Sequence, residues 1–150
     1  MQPDKEHFRK LIEHGFLQAN VTGDFSNLEP YYAPYHKVHT DFHNTKDSHL
    51  NGVKSEAKQW SELASDWTAK ADHILIDGDM VTVHWHVSAK HHGTHDHNVA
   101  GQVKGSGQTV HVSGIIMFKV KDGLVEEEWR YDNILQAMIS SGAATLPSAA

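Results

Sequence analysis

The sequence predicts an α+β fold in which helices pack on one face of a curved, mostly antiparallel sheet. Two amphipathic helical patterns occupy the first half of the chain, and a run of strand patterns fills the second half. Asp77-Gly78 and Asp122-Gly123 lie between successive strand patterns. Helices followed by antiparallel strands are typical of α+β domains, and Asp-Gly between alternating apolar runs is a strong hairpin signal.

The composition indicates a single globular domain. The chain has 150 residues, with an expected core over about residues 5–138 and a small, polar tail from 140 to 150. Its net charge of −6 argues against a nucleic-acid partner. No apolar run approaches the roughly 20 residues that span a bilayer, so no membrane partner is expected. The start of the chain shows no secretory signal pattern, and a cytoplasmic location is expected. Without cysteine, disulfides and thiolate chemistry are excluded.

Three helical segments are predicted before the main strands. The first runs from about Asp4 to Asn20, with apolar residues recurring at helical spacing. A short helical turn is expected from Asn27 to Tyr32, ahead of Pro34. The second long helix is predicted from Val53 to Ala69, and its apolar stripe contains Trp60 and Trp67. Both tryptophans are interpreted as core residues that also make good pocket walls.

The strand predictions follow from alternating apolar and polar residues. They cover Tyr35–Phe42, His73–Ile76, Met80–Ala89, Thr109–Val120 and Leu124–Tyr131. The intervening segment from His91 to Gly107 is polar and rich in glycine, and a loop or bulged extension is expected there.

The last strand carries the clearest candidate site. Alternation places Glu128, Arg130 and Asp132 on one side and Trp129 and Tyr131 on the other. Three ionisable groups on one sheet face are costly in a packed core unless they pair or face a cavity. The pattern therefore favours a polar pocket, with an ion-pair ladder at a strand end or dimer interface as the alternative.

Several short strings, in order, resemble the SnoaL-like polyketide cyclase family of the nuclear-transport-factor-like superfamily. They are Asp77-Gly78-Asp79 before VTVHW, Gly93-Thr94-His95, Gly114 through Phe118, Asp122-Gly123-Leu124-Val125, and Glu128-Trp129 with Asp132 nearby. The Ala33-Pro34-Tyr35 to His39 strand also resembles the family's first strand. The resemblance implies an α+β cone in which three helices in the N-terminal half close a bent sheet around an apolar cavity. It also implies a homodimer and no metal.

The resemblance implies a catalytic aspartate on the last strand, but Arg130 stands at the matching position. Arginine stays protonated and cannot act as a general base. Asp132 lies two residues further along, with two residues between it and Trp129 where the family more often has three. The leading hypothesis is therefore a cofactor-independent cyclase, isomerase or dehydratase in which Asp132 is the acid/base and Arg130 binds an oxyanion.

The remaining candidates would complete the pocket around an apolar, carbonyl-bearing substrate. The resemblance places His39 at the cavity as a second polar contact and His95 near its mouth. Further substrate-binding candidates are Glu128, Trp60, Trp67, Trp85, Tyr31 and Ile116. A non-catalytic ligand-binding or dimerisation domain, and a hydrolase or lyase, remain open as alternatives because one fold hosts many activities.

The fourteen histidines invite a metal hypothesis. His91, His92, His95 and His97 lie close in sequence, but a defined metal site needs preset ligands and supporting contacts. Adventitious metal binding is favoured over a built site. On the strands, alternation directs His84, His86 and His111 away from the predicted core.

Overall fold

The computed structural model describes residues 3–40, 43–49, 58, 61–97, 101–105, 107–143 and 147–148. Within these ranges, none of the helices combines the length and apolar character needed to cross a membrane.

The N-terminal helix is continuous but changes its winding. It consists of α1 (Lys5–Lys10), a π-helical segment (Leu11–Phe16) and α2 (Leu17–Thr22). Asp4 begins it by accepting hydrogen bonds from the backbone N–H groups of Glu6 and His7, at 2.8 and 3.3 Å. Gly23 ends it in the left-handed conformation with φ of 70°. A 3₁₀ turn (Ser26–Leu28) follows, and the predicted first helix is confirmed.

Eight strands and a helix near the C-terminal end of the described chain follow. They are β1 (Tyr32–Thr40), β2 (His43–His49), β3 (Ala64–Asp77), β4 (Met80–His91), β5 (Thr94–His97), β6 (Gly101–Lys104), β7 (Gln108–Lys121), β8 (Leu124–Asp132) and α3 (Ile134–Ser140). Six strands form one sheet in the order β2-β1-β8-β7-β4-β3, and β5 pairs with β6 separately. Only the β1–β8 pairing among the described strand pairs is parallel. The predicted α+β class is confirmed.

The predicted end of the second long helix is wrong. Lys58 and residues 61–63 are helical, but residues 64–69 belong to β3, and most of the predicted helix lies outside the described residues. This segment pairs with β4, beginning with Ala64 opposite His91. Asp66 has φ of 53°, and the register shifts between Ser65 and Thr68. This bulge allows β3 to begin at Ala64, well before the predicted start at His73. Pairing with β4 therefore decided the structure here, although the apolar residues are spaced as in a helix.

Three smaller predictions also need correction. Strand β1 starts at Tyr32, not Tyr35, so the preceding helical turn stops at Leu28; Phe42 lies outside the described residues. The segment predicted as a loop from His91 to Gly107 contains the β5–β6 pair. Helix α3 was not predicted.

The N-terminal helix packs on one side of the sheet, which is called the inner face below. Arg9 Nη1 donates to the carbonyl oxygen of Ala71 on β3 at 2.9 Å, and Glu13 Oε1 accepts from the Ala71 N–H at 3.1 Å. The Phe8 and Phe118 rings meet at 5.3 Å and are both buried. The opposite side of the sheet is called the outer face. The core therefore lies between the helix and the inner face.

Candidate functional site

The pairing of β7 with β8 fixes which side chains of β8 point inward. Glu128 lies opposite Phe118, Arg130 opposite Ile116, and Asp132 opposite Gly114. Phe118 and Ile116 are buried core residues, and directly opposed residues share a sheet face. The predicted grouping of Glu128, Arg130 and Asp132 on one face therefore agrees with the observed register.

Glu128 is the most deeply buried charged residue described, with 0% of its surface exposed. Its Oε2 atom accepts a hydrogen bond from the Tyr32 hydroxyl at 2.8 Å. Its Oε1 atom lies 2.6 Å from Arg130 Nη2. Because both carboxylate oxygens have a partner, the negative charge of Glu128 is compensated although it is buried in the core.

Tyr32 acts as a hydrogen-bond donor in this network. Burial raises the pKa of Tyr32 well above its usual value, and the negative charge of Glu128 raises it further, while Arg130 opposes this shift. The hydroxyl therefore keeps its proton and donates a hydrogen bond to Glu128. Tyr32 also stands on β1, so this bond joins the first strand of the chain to the last.

Arg130 connects the buried carboxylate to the accessible end of the face. Its side chain is 18% exposed. The guanidinium carbon lies 5.9 Å from the centre of the Phe16 ring, within cation–π range. Phe16 is the last residue of the π-helical segment, and such segments occur frequently at functional sites.

Asp132 is exposed at the end of β8 and meets Trp85 over Gly114. A β-carbon built on Gly114 would lie 2.7 Å from Trp85 Cζ2, 3.1 Å from Asp132 Oδ1 and 2.5 Å from the Tyr131 carbonyl oxygen. Only glycine allows these groups to approach so closely here. The indole of Trp85 and the carboxylate of Asp132 therefore converge on one point of the inner face.

His36 is a second buried polar residue beside the network. It is 3% exposed, and its ring centre lies 4.8 Å from that of Tyr32. The β1–β8 register shifts between Tyr32 and Lys37, which allows this part of β1 to depart from regular pairing. Sequence reasoning missed Tyr32, His36, Phe16 and Gly114. A strand beginning at Tyr32 would have drawn attention to the first two.

The predicted placement of His39 at the cavity is wrong. His39 pairs with Trp129, which lies on the outer face, and the two rings stack at 5.0 Å with an interplanar angle of 4°. His39 Nε2 lies 2.7 Å from Glu127 Oε1. Alternation along β1 explains this outcome. His36 and Val38 share the inner face, so His39 points to the outer face.

The other predicted site residues are dispersed. Ile116 is buried on the inner face. Tyr31 is half-buried against the His7 ring, at 4.5 Å, and burial raises its pKa. Trp67 belongs to β3, and its Nε1 donates to the Ala64 carbonyl oxygen at 3.3 Å. Trp60 lies outside the described residues, as does the side chain of His95, whose backbone belongs to β5.

Three histidines of β3 and β4 have polar partners on the outer face. On the outer face, His73 Nδ1 and His84 Nδ1 are 3.2 Å apart, and His86 Nδ1 lies 2.6 Å from Asp72 Oδ2. Among residues that the structure describes, no group of three or more potential ligands is arranged to hold a metal ion.

The fold and family of the chain follow from comparison with known proteins. Curated proteins give no sequence match. Among solved structures, TsrD from Streptomyces laurentii shares 20% identity with a TM-score of 0.76, over 95% of this chain and 99% of that one. A protein from Jannaschia sp. CCS1, proposed to be a SnoaL-like polyketide cyclase, shares 17% identity with a TM-score of 0.73, over 93% and 92%. IdmH from Streptomyces antibioticus, proposed to be a polyketide cyclase, shares 21% identity with a TM-score of 0.64, over 85% and 94%.

These likenesses show the nuclear-transport-factor-like α+β cone fold. The model of the SnoaL-like polyketide cyclase family matches residues 12–139, which is most of the chain and includes all of β8. The chain therefore belongs to the SnoaL-like polyketide cyclase family.

Proposed function

We propose that this protein is a cofactor-independent acid/base enzyme of the cyclase or isomerase type, acting on an apolar substrate that carries a carbonyl group. The observation that supports this most directly is that the two carboxylates on the inner face of β8 differ in burial. One carboxylate, Glu128, is buried and fixes a cation, whereas the other, Asp132, is exposed on the same face. An accessible base beside an anchored positive charge is the arrangement that enolate chemistry needs.

Asp132 is the better candidate for the base. Glu128 is fully buried, and Tyr32 and Arg130 engage its two oxygens. Proton transfer to Glu128 would leave Arg130 charged in the core without its counter-ion, which is strongly unfavourable. Asp132 lies at the exposed end of β8, where a change in its charge is not confined to the core.

Arg130 would hold the oxygen on which negative charge develops. Glu128 and Phe16 restrain its guanidinium, and 18% of the side chain remains exposed. A donor that is already oriented needs no reorganisation when charge appears on the substrate, which is why such groups accelerate reactions. Glu128 and Tyr32 would then act as positioning residues for Arg130.

The proposed step conserves protons and electrons without another reactant. The Asp132 carboxylate takes a proton from the carbon next to the substrate carbonyl, and the C–H electron pair moves to give an enolate whose oxygen contacts Arg130. In a cyclisation, the enolate carbon attacks a second carbonyl of the same molecule and forms a C–C bond. The new alkoxide then takes the proton back from Asp132. In an isomerisation, the proton returns to a different carbon.

The test is solvent deuterium exchange into 2-tetralone, an apolar bicyclic ketone with an acidic benzylic hydrogen next to its carbonyl. We expect the protein to accelerate exchange in D₂O as followed by NMR. Asp132→Asn should lower the rate by about 10²- to 10⁴-fold, the usual contribution of a general base, and leave tetralone binding intact. The matched control is Asp122→Asn, in the Lys121-Asp122-Gly123 turn, where asparagine tolerates the φ of 52°.

Two outcomes would contradict the proposal. Equal exchange rates for the wild-type protein and Asp132→Asn would remove Asp132 from the reaction. Saturable binding of tetralone without any exchange would favour the alternative of a non-catalytic binding domain, in which the Glu128–Arg130 pair only stabilises the fold.

A further inference from the structure

We infer that the indole N–H of Trp85 is a second hydrogen-bond donor for the substrate carbonyl, beside Asp132. This inference rests on the proposed function for its catalytic meaning, but the binding contact it describes can be tested without turnover. Trp85 is half-buried on β4 and packs against the hydrophobic core.

The first argument is an unpaired donor. Trp85 Nε1 is buried and has no hydrogen-bond partner within the part of the chain that the structure describes. A buried N–H without an acceptor is unfavourable, and tryptophan normally finds a partner for this group. A carbonyl oxygen of a bound molecule would supply the acceptor.

The second argument is the position of that donor. Trp85 Cζ2 and Asp132 Oδ1 approach the same point over Gly114, at 2.7 and 3.1 Å from an ideal β-carbon there. Nε1 is bonded to the ring carbon next to Cζ2, so the donor lies on the edge of the indole that borders Gly114. Since Nε1 has no hydrogen-bond partner among the described residues, it does not donate to Asp132. The N–H donor and the carboxylate lie close together but do not bond to each other. Together they could bind a substrate group that has one hydrogen-bond acceptor and one acidic hydrogen.

A ketone with an α-hydrogen has both features. Its oxygen accepts from Trp85, and its α-carbon presents a proton to Asp132. As the enolate forms, the charge on the oxygen strengthens the bond from the indole N–H, because hydrogen bonds to ionised acceptors are about twice as strong as neutral ones. Arg130 and Trp85 would then share the developing charge from two sides.

Gly114 makes this arrangement possible. Any side chain there would occupy the point where Trp85 and Asp132 meet. A β-carbon would collide with the indole and with the Tyr131 carbonyl oxygen, so glycine is what lets Trp85 and Asp132 lie together against the backbone of β7.

The decisive experiment compares 2-tetralone with tetralin, the hydrocarbon of nearly the same shape that lacks the carbonyl. Indole N–H signals of the ¹⁵N-labelled wild-type protein are recorded by NMR with each probe and assigned by substitution. We expect the Trp85 proton to move downfield with tetralone but not with tetralin. Trp67, whose N–H already donates to Ala64, is the internal control and should not respond. Equal shifts with both probes, or failure of both to bind, would overturn the inference.

A substitution adds a kinetic test. Trp85→Phe keeps an aromatic wall but removes the N–H, and should lower the maximal exchange rate by about 10²-fold, typical of losing one oxyanion donor, with little change in the half-saturating tetralone concentration. Trp129→Phe on the outer face is the matched control. An unchanged maximal rate in Trp85→Phe would refute the catalytic part. A carbonyl-specific Trp85 shift without exchange would instead sink the proposed function and leave the binding contact standing.

Discussion

Side chains of β8 take part in two similar clusters, one on each face of the sheet. The inner set joins a carboxylate, a cation and an aromatic ring in Glu128, Arg130 and Phe16. The outer set has an imidazole in place of the guanidinium and consists of Glu127, His39 and Trp129. Glu128 is 0% exposed, whereas Glu127 and His39 are 24% and 26% exposed. Breaking the buried pair on the inner face should therefore cost much of the protein's stability, whereas breaking the partly exposed pair on the outer face should cost little.

The largest expected effect separates the two carboxylates. Glu128→Gln should lower the free energy of unfolding by about 3–5 kcal/mol, because Arg130 loses its buried counter-ion. The matched substitution Glu127→Gln should change it by less than about 1 kcal/mol, since this pair is only partly buried and solvent screens it. Urea unfolding of both variants measures the difference. Similar losses in the two variants would contradict the distinction between the faces.

Removing the tyrosine donor should have a smaller effect. Tyr32→Phe deletes the 2.8 Å hydrogen bond to Glu128, and hydrogen bonds to charged groups contribute about 1.5–3 kcal/mol. Tyr35→Phe is the control on the same strand, because Tyr35 is 71% exposed. Thermal unfolding should show a loss for Tyr32→Phe alone. If the Tyr32→Phe protein were as stable as the wild type, Arg130 alone would be enough to compensate the buried Glu128 carboxylate.

Acid should affect the inner face through His91. Burial lowers the pKa of His91, and the neighbouring His92 lowers it further. The unfolded chain therefore binds a proton more readily than the folded one. Stability associated with His91 is complete above about pH 6.5, the unperturbed value, and falls as pH drops through the lower folded pKa. Unfolding midpoints between pH 7.5 and 5 should show this dependence weakened in His91→Gln. The exposed His111→Gln should retain it, and identical pH profiles for all three proteins would argue against it.

The smallest expected effect lies on the outer face. The hydrogen bond from His86 lowers the pKa of Asp72, burial opposes this in part, and His86, His84 and Lys70 lower it further through their charges. Stability from this pair is present above the unfolded pKa of Asp72 and is lost as pH falls through the lower folded value. A carboxyl ¹³C titration should show the Asp72 midpoint rise in His86→Gln. If the Asp72 midpoint stayed at its wild-type value in His86→Gln, the lowered pKa of Asp72 would have to come from other neighbours.

The sequence predicted the α+β class, the first helix and the inward grouping on β8, because each depends on local periodicity. It did not reveal that Glu128 pairs with Tyr32, since that contact joins residues far apart along the chain. His39 was assigned to the cavity by resemblance, whereas the register of β1 against β8 turns it outward. Trp67 was assigned to a helix because its apolar neighbours fit both periodicities. The catalytic roles and the expected homodimer remain predictions.

The parallel pairing of β1 with β8 has a consequence for how the protein matures. Tyr32 and Glu128 are separated by 96 positions in the chain, so their bond can close only after nearly the whole domain has been synthesised. Contacts of such long range form slowly. Until β8 arrives, β1 lacks its neighbour and presents an open edge to other chains. During synthesis, the edge of β1 therefore stays open to other chains until β8 has been made.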